Sequence, residues 1–146
     1  HRPVVGRDGC LNCHNPHATT QAGLLNAAPI KLCGSCHADT IDRQKRSVTK
    51  HQPVDEGMCM SCHSPHASDN VFLTLQASTL DFCGTCHDWA KHSTHPVGTK
   101  IIDKRNKNLT VECLSCHRSH GTDFKKMLPF GTVSELCTQC HLEYQR

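Results

Sequence analysis

The chain has 146 residues, which fits one domain, but only 36% of them are hydrophobic and 4% aromatic, with a single tryptophan, Trp89. That excludes a conventional core built from side chains alone. No apolar run approaches a membrane span: the most apolar stretch, residues 71–80, is broken by Thr74, Gln76 and Ser78. The formal charge of +3 leaves nucleic acid or an acidic partner open, and 12 cysteines would ordinarily indicate a secreted disulfide scaffold. Their spacing indicates something else.

The first informative stretch is Cys10-Leu11-Asn12-Cys13-His14-Asn15-Pro16-His17. Two thiols three positions apart, followed at once by histidine, is the pattern that attaches haem covalently: the thiols add to the two vinyl groups and the imidazole ligates iron. Five further copies follow: Cys33-Gly34-Ser35-Cys36-His37, Cys59-Met60-Ser61-Cys62-His63, Cys83-Gly84-Thr85-Cys86-His87, Cys113-Leu114-Ser115-Cys116-His117 and Cys137-Thr138-Gln139-Cys140-His141. No cysteine is left over. Cys-x-x-Cys is also half of a zinc ribbon, but zinc has no use for the following histidine, whose recurrence by chance is roughly one in a million. Six covalent haem c groups leave about 24 residues each, so the porphyrins are expected to supply the missing core. Their propionates bring the oxidised protein to about −3, so the basic residues are expected to neutralise propionates. No nucleic-acid partner is expected.

Along the chain the motifs fall into three tandem pairs. First cysteines recur about every 50 residues, from Cys10 to Cys59 to Cys113 and from Cys33 to Cys83 to Cys137. A single hexahaem domain with repeats at about 1–50, 51–94 and 95–146 is expected. Each repeat opens on a His-Pro-Val signal: His1-Arg2-Pro3-Val4, His51-Gln52-Pro53-Val54 and His95-Pro96-Val97. The first motif follows, with a second histidine three residues on (His17, His66, His120). A linker with one apolar pair comes next, Leu24-Leu25, Phe72-Leu73 or Met127-Leu128, expected to pack on porphyrin.

Glycine and proline punctuation predicts mostly coil with a few short helices and little or no β, the haems acting as the template. Helices are expected at 39–50 and from Ser134 to Leu142 with Ser134 as N-cap. Residues 98–112, with Ile101-Ile102 and Leu109-Thr110-Val111 around a polar centre, read as a hairpin inserted only in the third repeat.

Each iron takes a sixth ligand. Beyond the motif histidines stand His1, His17, His51, His66, His92, His95 and His120. The methionines are poorly placed: Met58 and Met60 lie at a motif and Met127 in an apolar pair. Six bis-histidine haems follow. Two axial imidazoles place their α-carbons roughly 12–13 Å apart, whereas three residues reach about 10.5 Å. His17 therefore cannot close the haem held by His14, and serves a neighbour. The simplest choice is the haem on Cys33 and Cys36, with His66 and His120 serving the second haems of their repeats. His1, His51 and His95 take the remaining irons, His92 is the spare, and His1 serves its own chain or the next.

These units resemble the multihaem cytochromes c with doubled Cys-x-x-Cys-His motifs, among them periplasmic electron donors, outer-membrane conduits and extracellular cytochrome filaments. The resemblance covers residues 1–141, and departs at Arg118-Ser119, where the first two repeats have proline before the second histidine, and at the inserted hairpin. It implies an exported electron carrier with low-potential haems in a closely packed chain, in the periplasm or outside the cell. The absence of a charged-then-apolar leader before His1 is read as a signal peptide removed. Redox proteins or extracellular acceptors are the implied partners. Two alternatives stand beside the carrier: a subunit polymerised into an extracellular filament, with His1 ligating across the interface, and a multihaem reductase with one open iron. The reductase normally requires a variant motif or a tyrosine cross-link, and this chain has neither a variant motif nor any tyrosine besides Tyr144.

Overall fold

A computed structural model describes residues 1–89 and 95–145. The longest helix among the described residues is nine residues, consistent with the dense glycine and proline punctuation. In chain order the α-helices are α1 (Arg2–Val5), α2 (Pro29–Gly34), α3 (Ala38–Arg46), α4 (Gln52–Asp55), α5 (Thr79–Cys83), α6 (Cys113–Cys116) and α7 (Val133–Cys137), joined by single 3-10 turns and coil. The expected hairpin forms from β1 (Gly98–Asp103) and β2 (Asn106–Val111), paired antiparallel.

Two helix expectations are corrected. The first helix runs 38–46, not 39–50. At the closing motif the N-cap is Thr132 rather than Ser134: its hydroxyl accepts from the Glu135 N–H while the Glu135 carboxylate accepts from the Thr132 N–H, a reciprocal capping box. That helix ends at Cys137, and a separate 3-10 turn covers Leu142–Tyr144.

The His-Pro-Val signal now has a physical reading. In the first two copies the histidine is the N-cap of a one-turn helix, α1 or α4, and the proline stands at its start. There the missing N–H costs nothing and the fixed φ suits the helix. The third copy differs: Pro96 follows His95 directly, and the chain passes into β1 instead of a helix.

The side-chain core is very small. Ile41 and Val111 are the buried apolar residues among those described, and Gln44, Ser47 and Asp103 are buried polar ones. Large apolar side chains are instead presented outward inside or beside the motifs: Leu11, Met60, Phe72 and Leu114. Among the described residues no helix is long and apolar enough to cross a membrane.

By proximity the polypeptide divides into two compact units, His1–Arg46 with Lys50–Leu75, and Ser47–Thr49 with Gln76–Arg146. Each contains three of the six motifs, so the division falls inside the second sequence repeat.

Candidate haem-attachment sites

All six motifs adopt one backbone turn. The histidine N–H donates to the carbonyl of the first cysteine four residues back, at 2.9–3.0 Å in every copy: His14 to Cys10, His37 to Cys33, His63 to Cys59, His87 to Cys83, His117 to Cys113 and His141 to Cys137. One helical turn places residues i, i+3 and i+4 on the same face. Both thiols and the imidazole therefore address one ligand. None of the twelve cysteines is joined to another in a disulfide.

The first motif of each repeat is closed by its own downstream loop. The N–H after the histidine donates to the carbonyl ten residues beyond that histidine: Asn15 to Leu24 (2.8 Å), Ser64 to Leu73 (2.8 Å) and Arg118 to Met127 (2.9 Å). The imidazole Nδ1 then meets the carbonyl one residue earlier: His14 to Gly23 (2.7 Å), His63 to Phe72 (2.9 Å) and His117 to Lys126 (2.8 Å). A carbonyl can only accept, so Nδ1 carries the proton and Nε2 offers its lone pair to a metal. This is the second-layer bond that orients metal-ligating histidines, and it fits the haem these motifs specify.

The loop achieves this with two consecutive left-handed residues, Gly23-Leu24, Phe72-Leu73 and Lys126-Met127, all at φ between 56° and 67°. Only one of the six is glycine. A hydroxyl five residues after the histidine braces the same loop: Thr19 and Ser68 donate to the carbonyls of Leu25 and Thr74, at 2.8 and 2.7 Å, while Thr122 donates to Phe124 at 2.9 Å. That hydroxyl stands at the same offset in all three repeats of the sequence. The loop also shows that the apolar pairs are not equivalent: the shared position is Leu24, Leu73 and Met127, so Phe72 is one place out of register.

The second motifs follow short helices and draw on more distant groups. In the first unit, burial pushes the Cys33 thiol up to about 11, with the nearby Cys59 and Cys13 thiols adding to the effect. Attachment points of three motifs therefore neighbour one another. Gly57, at φ 74, lets the lead-in to the third motif approach α2, where a Cβ would stand 3.0 Å from Ile30 Cβ. In the second unit Glu112 accepts from the N–H and hydroxyl of Thr79, at 2.6 and 2.8 Å, linking the starts of α5 and α6. Asp103 is buried and held by the Arg105 guanidinium at 2.9 Å, which keeps its carboxyl below the ordinary value; Arg105 also donates to the Ser115 carbonyl at 3.3 Å. The Cys140 thiol lies 3.9 Å from Asp103. The inserted hairpin thus ties the fifth motif to the sixth.

The histidines expected as sixth ligands are placed as follows. His1 donates from Nδ1 to the Pro65 carbonyl at 2.8 Å, and its ring centre lies 6.2 Å from that of His37, with 15° between the planes. His66 lies 6.0 Å from His14, centre to centre, with 39° between the planes. The backbone of His51 is gripped by the buried Gln44, whose Nε2 donates to the His51 carbonyl at 2.9 Å; nothing in the sequence had singled out Gln44. His17 stands exposed in its loop with its N–H on Asn15. His95 is exposed, its Nδ1 3.1 Å from the Pro96 carbonyl. His120 is half-buried in the third loop, and His92 lies outside the described residues.

Six identical thiol–thiol–imidazole turns, three with a clamped Nδ1, define a covalent haem protein of the c type. The doubled CXXCH motif family matches residues 1–42, 51–92 and 106–146. The chain is also 34% identical, over a 122-residue alignment, to the multiheme cytochrome MtrA of Shewanella baltica (strain OS185). That alignment covers 78% of this chain and 35% of the relative, so the chain spans about a third of the relative's length. The chain belongs to the doubled CXXCH motif family and is a multihaem c-type cytochrome with three doubled units.

Proposed function

We propose that the chain carries six covalently attached haem c groups, each with two histidine ligands, and moves electrons along them outside the cytoplasm. The observation that carries this reading is the hydrogen bond from the histidine N–H to the first cysteine's carbonyl at all six motifs, a turn that sets two thiols and an imidazole on one face. When bound, each haem supplies an iron couple that accepts and releases one electron. The chain's residues hold the porphyrins by paired thioethers, fix the imidazole tautomer through Nδ1, and cover porphyrin edges with outward apolar side chains such as Phe72 and Leu114. A groove of about 480 Å³ with Phe124, Leu128 and Phe130 along it, and Lys125 and Lys126 outnumbering Asp123 at its rim, has an apolar floor and net positive edge that suit a porphyrin with its propionates. Histidine on both faces leaves no iron open to substrate and keeps potentials low. The partners of such a carrier are redox proteins or external electron acceptors.

The test is a haem count by absorbance and mass, with carbon monoxide added to the reduced protein. Six thioether-bound haems per chain, none binding carbon monoxide, is the expected result. Fewer than six bound haems would overturn the six-haem reading, and one iron that binds carbon monoxide would favour a reductase.

A further inference from the structure

The positions of His1 and His66 assign two sixth ligands within the first unit. Metal–imidazole bonds of about 2.0 Å, with about 1.15 Å from Nε2 to the ring centre, place two axial imidazoles on one iron about 6.3 Å apart, centre to centre. Aromatic pairs in direct contact also span about 4.5–7 Å, so the separation fits a shared iron and the make-up of the pairs selects it. Two histidine pairs of the first unit stand at 6.2 and 6.0 Å. Each pairs a motif histidine with a histidine from another part of the sequence. In each pair one ring has its Nδ1 committed to a carbonyl, His1 on Pro65 and His14 on Gly23, which leaves Nε2 as the ligating atom.

We propose that His66 is the sixth ligand of the haem held by Cys10, Cys13 and His14, and that His1 is the sixth ligand of the haem held by Cys33, Cys36 and His37. This rests on the bis-histidine reading above and departs from two expectations, that His17 serves the haem on Cys33 and Cys36 and that His66 serves the haem on Cys83 and Cys86. Each bond is a neutral Nε2 lone pair donated to iron, with no proton or electron moved.

The pairing makes one four-residue stretch a three-haem junction. His63 holds the third haem from its own motif, with its Nδ1 on Phe72. Pro65 offers its carbonyl to His1 and so orients the ligand of the second haem. His66 reaches the first. Proline suits the middle of this stretch because its fixed φ holds the carbonyl and the following imidazole in a set relation, while the N–H it lacks is not called upon. The first repeat has Pro16 and the third Ser119 at the equivalent place, and what sets Pro65 apart is the His1 imidazole on its carbonyl.

The test uses the full haem-loaded chain. In His66→Ala, one haem in six should turn from low spin to high spin by electron paramagnetic resonance and should bind carbon monoxide when reduced; His1→Ala should do the same to one haem. The two haems are identified in a Cys10→Ala/Cys13→Ala background that lacks the first haem and in a Cys33→Ala/Cys36→Ala background that lacks the second, where His1→Ala should add no high-spin haem. In the first background His66→Ala should add no high-spin haem, whereas His1→Ala still should. A high-spin haem created by His66→Ala in that background, or none created in the parent, would overturn the pairing. An unsubstituted protein that already binds carbon monoxide would count against the bis-histidine reading instead, so the two failures are distinguishable. If a cysteine-substituted background does not mature, a structure of the loaded parent decides by which imidazole stands opposite His14 and His37.

Discussion

The first and second motifs of each repeat share one turn but are held by different means. After a first motif, the following residues fold back and clamp the histidine with a backbone carbonyl, so His14, His63 and His117 are positioned by residues no more than ten places away. Second motifs follow a short helix and borrow their surroundings: Cys33 sits near Cys59, and Cys140 beside the hairpin's Asp103. Local closure lets a first motif set its ligand early, since short loops carry a small closure entropy. The second motifs depend on long-range contacts, which are the more easily broken.

The largest expected effect lies on that borrowed side. Arg105→Ala would strip the buried Asp103 carboxylate of its guanidinium partner and the Ser115 carbonyl of a donor. Removing one member of a fully buried pair costs about 3–5 kcal/mol; because Arg105 is about a third exposed, about 2 kcal/mol is expected, read from thermal or denaturant unfolding at neutral pH. The pH dependence has a definite sign. In the parent, Asp103 titrates below its ordinary 3.8, chiefly through the hydrogen bonds from Arg105. Its contribution is therefore full above that ordinary value and lost as pH falls through the lowered one. In Arg105→Ala the backbone N–H of residue 105 and the Cys140 thiol still favour the carboxylate, but with the guanidinium gone burial weighs more heavily and the pKa rises relative to the parent, so protonation relieves part of the penalty. The stability difference between parent and variant should narrow in acid. A constant difference across pH would mean that Asp103 does not link the fifth and sixth motifs electrostatically.

A smaller effect should appear on the local side. Lys126 is exposed and sits at φ 58, a left-handed conformation that costs a residue with a Cβ about 1 kcal/mol. Lys126→Gly should relieve that strain and raise the melting temperature at high salt, where the contact of its ammonium with a propionate is screened. Gly23 occupies the equivalent place in the first repeat, where nothing lies within 4 Å of an added Cβ. Gly23→Ala should therefore lower stability by about 1 kcal/mol through backbone strain alone. Opposite signs for these two substitutions, measured on the haem-loaded protein, would establish that the histidine clamp is held in a strained turn. Equal signs would remove the strain from the account.

The sequence made the attachment chemistry legible because thioether formation needs two thiols and an imidazole at fixed spacing, and that spacing survives any change around it. Tandem repetition and the hairpin were legible for similar reasons: cysteine recurrence and alternation about a polar centre are local patterns. The clamp was not. Phe72-Leu73 and Lys126-Met127 carry no glycine or asparagine to announce left-handed backbone, and the acceptor is a carbonyl, which every residue has. The hydroxyls of Thr19, Ser68 and Thr122 recur at one offset, but hydroxyl residues are too common in coil to stand out. The Thr132-x-x-Glu135 cap was written in the sequence and read two residues late. The placement of His1 beside His37 depends on folding across more than thirty residues, which spacing alone does not determine.

The smallest effect would sharpen the comparison most, because it converts one kind of motif into the other. His141 meets the Glu143 carboxylate with its Nδ1 at 3.2 Å, whereas the three first-motif histidines donate to neutral carbonyls at 2.7–2.9 Å. A carboxylate acceptor draws the Nδ1 proton more strongly, makes the imidazole a better donor to iron, and favours the ferric state. The Glu143 carboxyl is itself held below its ordinary value, first by its own backbone N–H and then by His141, so it is ionised wherever the haem is titrated. Glu143→Gln keeps an oxygen acceptor and removes the charge, leaving His141 with the neutral partner the first motifs have. One haem should then titrate more positive by on the order of tens of millivolts, with the others unmoved. Glu143 is exposed and the bond is long, so the shift should shrink as salt is raised. A shift unaffected by salt would assign it to a change in packing rather than to lost charge, and no shift at all would mean that the neutral carbonyl and the carboxylate orient the iron ligand equally well.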